Sequence, residues 1–357
     1  MNRPRRTVPG VAHAARVTLL AAAFVLLSAP PAFAHALDGA EPTNYRTRIT
    51  GIEGLPGGVE IKVVEAGNRL EVSNGTGEDV VVPGYKEEPY LRIGPDGVFE
   101  NRRSPATYLN RFRLPSGELP AAADENAAPE WRKISDARSA RWHDHRTHWM
   151  GEKPPGPVQR NPGRLHTIIP TWEIPIRHGD GVIAVQGDLA WVPGPSRGPW
   201  LGVAAAAGVG LFVLARGRAG SRLTVAALAL LVVFDVIRLA GLAGDSAGSF
   251  LNAAGDNPQA VAAWVTAALA AWRILAGDAR LGLPLAAAAG VLFALGSFTD
   301  LNDLGRSQLP TTNPFWLARL AVAGTLGLGL GVVAAAATTL SAPPAREAVP
   351  APAAEPT

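Results

Sequence analysis

Short runs of alternating apolar and polar residues dominate the first half of the chain. Tyr45-Arg46-Thr47-Arg48-Ile49 and Val59-Glu60-Ile61-Lys62-Val63 alternate strictly, and Arg69-Leu70-Glu71-Val72, Val80-Val81-Val82, Tyr90-Leu91-Arg92-Ile93 and Val98-Phe99-Glu100 follow. Period-two alternation buries one face of a strand and solvates the other. Asn74-Gly75, Gly77 and Gly94-Pro95-Asp96-Gly97 punctuate these runs as turns. The pattern predicts an antiparallel sandwich, immunoglobulin-like in the broad sense, completed by two late strands over 165–177 and 181–191. Between them, 104–164 reads as a long irregular insertion rich in Pro, Ala and charge, a length that marks a functional or disordered loop.

From Pro199 onward the composition shifts to Ala, Leu, Val and Gly. Five hydrophobic segments are readable, over 200–215, 223–242, 260–276, 281–298 and 315–340, the first and third of them short. Each approaches the length that crosses the hydrocarbon of a bilayer. Arg216, Arg218 and Arg222 lie between the first two segments, and Arg273 and Arg280 bracket the link after the third. The alternate loops carry Asp245, Asp256, Asp300 and Asp303, with Arg306 the one positive residue. With the β domain outside, both arginine-bearing loops fall in the cytoplasm, as the positive-inside rule requires.

The N-terminus agrees with that orientation. Arg3, Arg5, Arg6 and Arg16 precede an apolar run over 17–27, and Ala32-Phe33-Ala34 reads as a small-x-small cleavage site. A twin-arginine signal at Arg5-Arg6 fits Thr7-Val8-Pro9 poorly, and an uncleaved first membrane helix is the other reading of this stretch. The expected organisation is a signal peptide over 1–34, an extracytoplasmic β-sandwich over 35–195, a five-helix transmembrane domain over 199–340 and a disordered cytoplasmic tail over 341–357. That organisation implies a multi-pass cell-membrane protein with its N-terminal domain outside. The net charge of +3 comes without a basic tract, so nucleic acid is not an expected partner.

The chemistry concentrates in Trp142-His143-Asp144-His145-Arg146-Thr147-His148-Trp149-Met150, which holds three of the seven histidines and two of the nine tryptophans. Imidazoles at H-x-H-x-x-H spacing suit a borderline divalent ion. In an extended segment His143 and His145 share a side, and a turn at Arg146-Thr147 brings His148 back. Asp144 is then a ligand or holds an imidazole tautomer. The chain has no cysteine, which removes disulfides and thiolate sites together, and Met150 is the one methionine beyond the signal. A soft Cu(I) cage is therefore disfavoured, and copper(II), with zinc(II) as the alternative, is the expected metal. The opposing reading has Trp142 and Trp149 packing the insertion onto the sandwich while the histidines satisfy backbone groups. His35 is a further candidate: cleavage after Ala34 makes it an N-terminal residue whose amine and ring chelate together, whereas cleavage after Ala36 discards it. His166 reads as a structural residue at a strand start, and His178 as a solvated turn residue beside Gly179-Asp180-Gly181.

The Ala34-His35-Ala36 junction leading into a small secreted β-sandwich resembles the CopC-like periplasmic copper-binding proteins, and the appended helical region resembles their fused CopD-like partners. That resemblance implies a copper-ligating role for His35 alone. The sequence after it, Ala36-Leu37-Asp38-Gly39-Ala40-Glu41-Pro42, matches the family's opening loosely, and five membrane segments are fewer than the CopD-like partner implies. The whole chain, through its Ala/Gly/Arg-rich style and Ser104-Pro105-Ala106-Thr107-Tyr108-Leu109-Asn110, also resembles a group of uncharacterised actinobacterial envelope proteins.

Within the membrane segments, Asp235 and Arg238 are three residues apart on one helical face and can pair, and Arg319 enters the last segment at a similar depth. Ionisable groups at such positions are default functional candidates, and the bland alternative is an ion pair locking helices near the outer interface. Gly327, Gly329 and Gly331 permit close helix packing. No P-loop, dinucleotide-binding turn, G-x-S-x-G or H-E-x-x-H occurs, so no enzyme is expected. The leading expectation is a membrane-anchored extracytoplasmic metal-binding protein that handles copper in the envelope. The alternatives are an interaction or scaffold protein that docks another envelope protein, and a transporter-like membrane subunit.

Overall fold

A computed structural model of the chain describes residues 40–111, 118–246 and 248–341. The segment expected to be a signal peptide over 1–34, His35 and the stretch over 342–357 lie outside the described residues.

Among the described residues, ten strands form two antiparallel sheets. They are β1 (Tyr45–Glu53), β2 (Val59–Val64), β3 (Arg69–Asn74), β4 (Val80–Pro83), β5 (Pro89–Gly94), β6 (Gly97–Asn101), β7 (Trp131–Ser135), β8 (Ser139–Trp142), β9 (His166–His178) and β10 (Gly181–Trp191). The larger sheet runs β1-β10-β9-β4-β5-β6-β7 and the smaller β2-β3-β8. Alternation places Trp172, Ile174 and Ile176 of β9 and Ile183 and Val185 of β10 inside, against Leu70 and Val72 of β3 and Ile93 of β5. Each such side chain contributes about 1.5–3 kcal/mol by leaving water. Two of the predicted turns are hairpins: Gly94 pairs Gly97, and His178 pairs Gly181. Gly97 and Gly179 hold φ of 119° and 52°, where a side chain would strain the backbone. At Gly187 the cross-strand Trp172 ring takes the space of a side chain, since a Cβ there would lie 2.0 Å from its Cζ2.

The stretch over 104–164 differs from the irregular insertion expected. It supplies β7 to the edge of the large sheet and β8 to the edge of the small one, with two short helices, α1 (Ala106–Leu109) and α2 (Gly156–Arg160). The reason is physical. Trp131-Arg132-Lys133-Ile134-Ser135 is solvated on most of its surface, so no period-two pattern marks it, and Ser139-Ala140-Arg141-Trp142 is too short to carry one.

The second half is helical: α3 (Gly198–Leu214), α4 (Gly220–Asp245), α5 (Phe250–Gly255), α6 (Pro258–Leu275), α7 (Ala279–Thr299) and α8 (Phe315–Ser341). All five hydrophobic segments are thus helices, and three of them, α4, α7 and α8, are long and apolar enough to cross a membrane. The 17 residues of α3 reach about 26 Å at 1.5 Å per residue, short of a typical hydrocarbon core. The expected glycines lie at close helix contacts. A Cβ on Gly327 would lie 2.1 Å from the Ala204 carbonyl of α3, and one on Gly329 2.8 Å from the Gly290 carbonyl of α7.

The two halves are stitched together by main chain. Thr43 and Gln308 form an antiparallel bridge, N–H to carbonyl in both directions at 3.0 and 2.9 Å, and the Ser307 N–H donates to Asn44 Oδ1 at 3.0 Å.

Candidate functional site

The histidine loop leaves the end of β8, where Leu70 pairs Trp142 and the indole is buried in the sandwich core. Asp144 then caps a 3₁₀ turn over His145–Thr147 by accepting the Arg146 N–H at 3.1 Å. Its buried carboxylate also takes Arg146 Nε at 2.8 Å, Arg146 Nη2 at 2.7 Å and Trp142 Nε1 at 3.1 Å. Four donors fill the lone-pair sites of that carboxylate. Asp144 is therefore an anchor for the turn and for Arg146, which also bonds the Pro83 carbonyl at 3.1 Å and lies 5.3 Å from the centre of the Tyr85 ring.

The 3₁₀ turn changes which imidazoles meet. His143 and His148 come together, with ring centroids 6.5 Å apart, while His145 stacks on Tyr85 at 5.8 Å. His143 Nδ1 and His148 Nε2 lie 2.9 and 3.0 Å from one acceptor, the carbonyl of Asn68. A carbonyl only accepts, so both nitrogens carry hydrogen; Arg69 Nε donates to His143 Nε2 at 3.3 Å, which makes that nitrogen the acceptor. His143 and His145 meet different partners: the chain stays extended at Asp144 and turns only over His145–Thr147. Among the described residues no group of three or more His, Cys, Asp or Glu side chains is placed to hold a metal ion. His166 bonds the Asn161 carbonyl at 2.8 Å, remote from the loop in its contacts. His178 is not a solvated turn residue: it is mostly buried, its Nε2 is 3.0 Å from Thr76 Oγ1 and its Nδ1 3.6 Å from Glu78.

Asn68 closes a strained turn. Glu65, Ala66 and Gly67 all hold positive φ, at 56°, 57° and 92°, a conformation that costs about 1–2 kcal/mol for each non-glycine residue. Charge holds it in place. Buried Glu65 accepts from Arg141 at 3.1 Å and lies 3.5 Å from Arg69, and Arg141 also binds Glu71. The same turn touches the membrane half: the Glu65 N–H donates to Asp245 Oδ1 at 3.3 Å, and Arg141 Nη1 donates to the Asp245 carbonyl at the end of α4. No local sequence pattern marks this junction, since its partners are 76 to 180 residues apart.

A second buried polar patch lies under α1. Ser104 Oγ donates to buried Glu88 at 2.6 Å, Thr107 Oγ1 to the Asn101 carbonyl at 2.6 Å, and Tyr85 hydroxyl to Asn110 Oδ1. Burial, then the nearby Asp144 charge, pushes the Tyr85 phenol up from its ordinary range. The Ser104-to-Asn110 stretch is thus a packing element.

In the helical half, Arg238 Nε donates to Asp235 Oδ1 at 2.9 Å, the pair expected from their spacing. Trp264 of α6 donates to Asp235 Oδ2 at 2.8 Å, and Arg238 reaches Asp300 at 3.4 Å beyond the end of α7. Arg319 does not join them; it donates to the carbonyls of Asp303 and Arg306 at 3.2 and 2.7 Å and so orders the loop that carries Ser307 and Gln308. These groups seal helix contacts. Since Asp300 follows α7 directly and meets Arg238, α4 runs seven residues farther, about 10 Å, to reach the β domain. Half-buried Asp303 is pushed up to about 7 by desolvation and by the charge of Asp300.

No family model, curated protein or solved structure matches the chain.

Proposed function

We propose that this is a multi-pass envelope protein in which five helices cross the membrane and hold an extracytoplasmic, immunoglobulin-like β domain in fixed orientation as an interaction scaffold for another envelope protein. The observation that carries this reading is the junction itself. A flexible tether needs no cross-links, yet here the Thr43–Gln308 bridge, the Asn44–Ser307 bond and the Glu65–Asp245 bond fasten the domain at two separate places. The loop richest in ligand-type residues supports the same reading, because Asp144 and His143 serve the fold with the atoms a metal would use. The free edge of β7, with Ile134 49% exposed, is the surface it offers.

Copper(II), or zinc(II), binding is the second reading, and one observation favours it: two imidazole nitrogens, on His143 and His148, reach within 3.0 Å of one carbonyl oxygen. To bind there, both nitrogens must give up hydrogens, and His143 must turn an N–H toward the Arg69 guanidinium. His35, beyond the described residues, is the remaining ligand candidate under this reading.

Two measurements separate the readings. Calorimetric titration of the full-length protein with Cu(II) and Zn(II), beside a variant with His143, His145 and His148 replaced by alanine, is expected to show no stoichiometric binding that depends on these histidines. Tight one-to-one binding lost in the variant would establish the metal reading instead. A photo-crosslinker at Ile134 in intact cells is expected to give one discrete adduct with another envelope protein, and its absence would count against the scaffold.

A further inference from the structure

At the end of the helical half opposite the β domain, the ends of four helices surround a cavity of about 440 Å³. Its lining includes Arg216, Arg218, Ser221, Leu283, Thr338 and Thr339, together with the first turn of α4 at Gly220. We propose that this cavity binds the phosphate of an anionic phospholipid headgroup.

The charge comes first. Arg216 and Arg218 line the cavity, and among the described residues no carboxylate lines it and neither arginine forms an ion pair. Arg238 and Arg273, by contrast, are matched, Arg238 by Asp235 and Asp300 and Arg273 by Asp278 at 3.6 Å. Two neighbouring cations with no counter-charge repel one another, and a phosphate relieves that repulsion while accepting from both guanidinium forks. Arg216 is already oriented, its guanidinium held 4.0 Å over the Phe212 ring.

The wall chemistry argues for a lipid over a free ion. Leu283, Ala215, Ala279 and Ala335 give the cavity an apolar side next to its basic one. A free phosphate has no use for that side, whereas the glycerol and first acyl carbons of a phospholipid do. The position agrees: α3 ends at Leu214, α4 begins at Gly220, α7 begins at Ala279 and α8 ends just beyond Thr339, so the cavity lies at the level where helices leave the hydrocarbon. Basic pockets between helices at this level suit anionic headgroups, at about 1 kcal/mol for each basic side chain.

The test uses the full-length protein in mild detergent, with bound lipid counted by native mass spectrometry after titration with phosphatidylglycerol, phosphatidylcholine or inorganic phosphate. Phosphatidylglycerol is expected to bind one to one, and R216Q/R218Q to weaken it roughly thirtyfold, the change that two basic side chains of this kind make together. A second variant, T338W, keeps the charge and fills the cavity at an exposed position; it is expected to lose phosphatidylglycerol as well. Arg273→Gln, outside the cavity, is expected to change nothing. Equal binding of phosphatidylcholine, or unchanged phosphatidylglycerol binding in T338W, would overturn the proposal. Full displacement by millimolar phosphate with no selectivity for phosphatidylglycerol would reassign the cavity to a free anion.

Discussion

Replacing Asp144 by alanine removes the anchor of the histidine loop, and the structure sets the size of the loss. The carboxylate, fully buried, takes both faces of the Arg146 fork, the Arg146 N–H and the Trp142 indole N–H. Removing one partner of a buried ion pair costs about 3–5 kcal/mol. Here the arginine is 24% exposed and keeps its bonds to the Pro83 carbonyl and the Tyr85 ring, which lowers the figure, while the stranded indole N–H adds about 1 kcal/mol. The net expectation is about 3 kcal/mol, or a fall in Tm of about 6–12 °C for a domain of this size. Thermal unfolding of the full-length protein in detergent, followed by the tryptophan signal, reads it. Asp144→Asn keeps the acceptor for the Arg146 N–H and is expected to lose about half as much. Adding Cu(II) or Zn(II) is expected to leave the wild-type Tm in place, because a ligand that binds only the folded state would raise it. A loss under about 1 kcal/mol for Asp144→Ala, or a metal-dependent rise abolished by the substitution, would refute the anchoring role.

Three further outcomes follow from the same structure. Ala66→Gly relieves a left-handed backbone at φ 57° and is expected to stabilise the protein by about 0.5–1 kcal/mol, read as a higher Tm; a lower Tm would mean the turn is unstrained. Asp235→Ala leaves Arg238 with Asp300 alone and strands the Trp264 N–H, so about 2–4 kcal/mol of stability is expected to go, with Asp235→Asn losing less. Asp303 has a folded pKa of about 7, above its unfolded value near 3.8, so the folded state binds more protons between these limits. Stability is then lost as pH rises from about 4 through 7, and Asp303→Asn is expected to flatten that part of the Tm–pH curve; an unchanged slope would contradict it.

Much of the fold is legible in the residues, and the exceptions have physical causes. Eight strands announce themselves because each buries one face, as Trp172, Ile174 and Ile176 do. β7 and β8 escape notice because one is a solvated edge and the other four residues long. The five apolar segments are all helices, but length decides which can cross alone, and α3 at 17 residues is the clearest shortfall. The histidine loop is where local reading fails most instructively. The aspartate in its middle is a capping residue, a role that Asp favours because its short carboxylate accepts the backbone N–H two residues on. That turn separates His145 from His143 and delivers His148 instead. The Glu65–Arg141–Asp245 junction leaves no local mark, because these three residues meet across the fold and not along the chain.

The central claim is that the β domain is fastened to the helices, and a disulfide tests it most directly. Thr43 and Gln308 exchange both hydrogen bonds of an antiparallel bridge, a pairing that sets their Cα atoms about 5.5 Å apart, within the reach of a disulfide. The chain contains no cysteine to interfere. The T43C/Q308C protein, oxidised mildly in native membranes, is expected to form the cross-link nearly to completion, identified by mass spectrometry of the joined peptides. A T43C/T339C control, at the far end of the helices, is expected to form none. Failure of T43C/Q308C to cross-link, or equal cross-linking of the control, would mean that the domain is tethered and mobile, and the scaffold reading would fall with it.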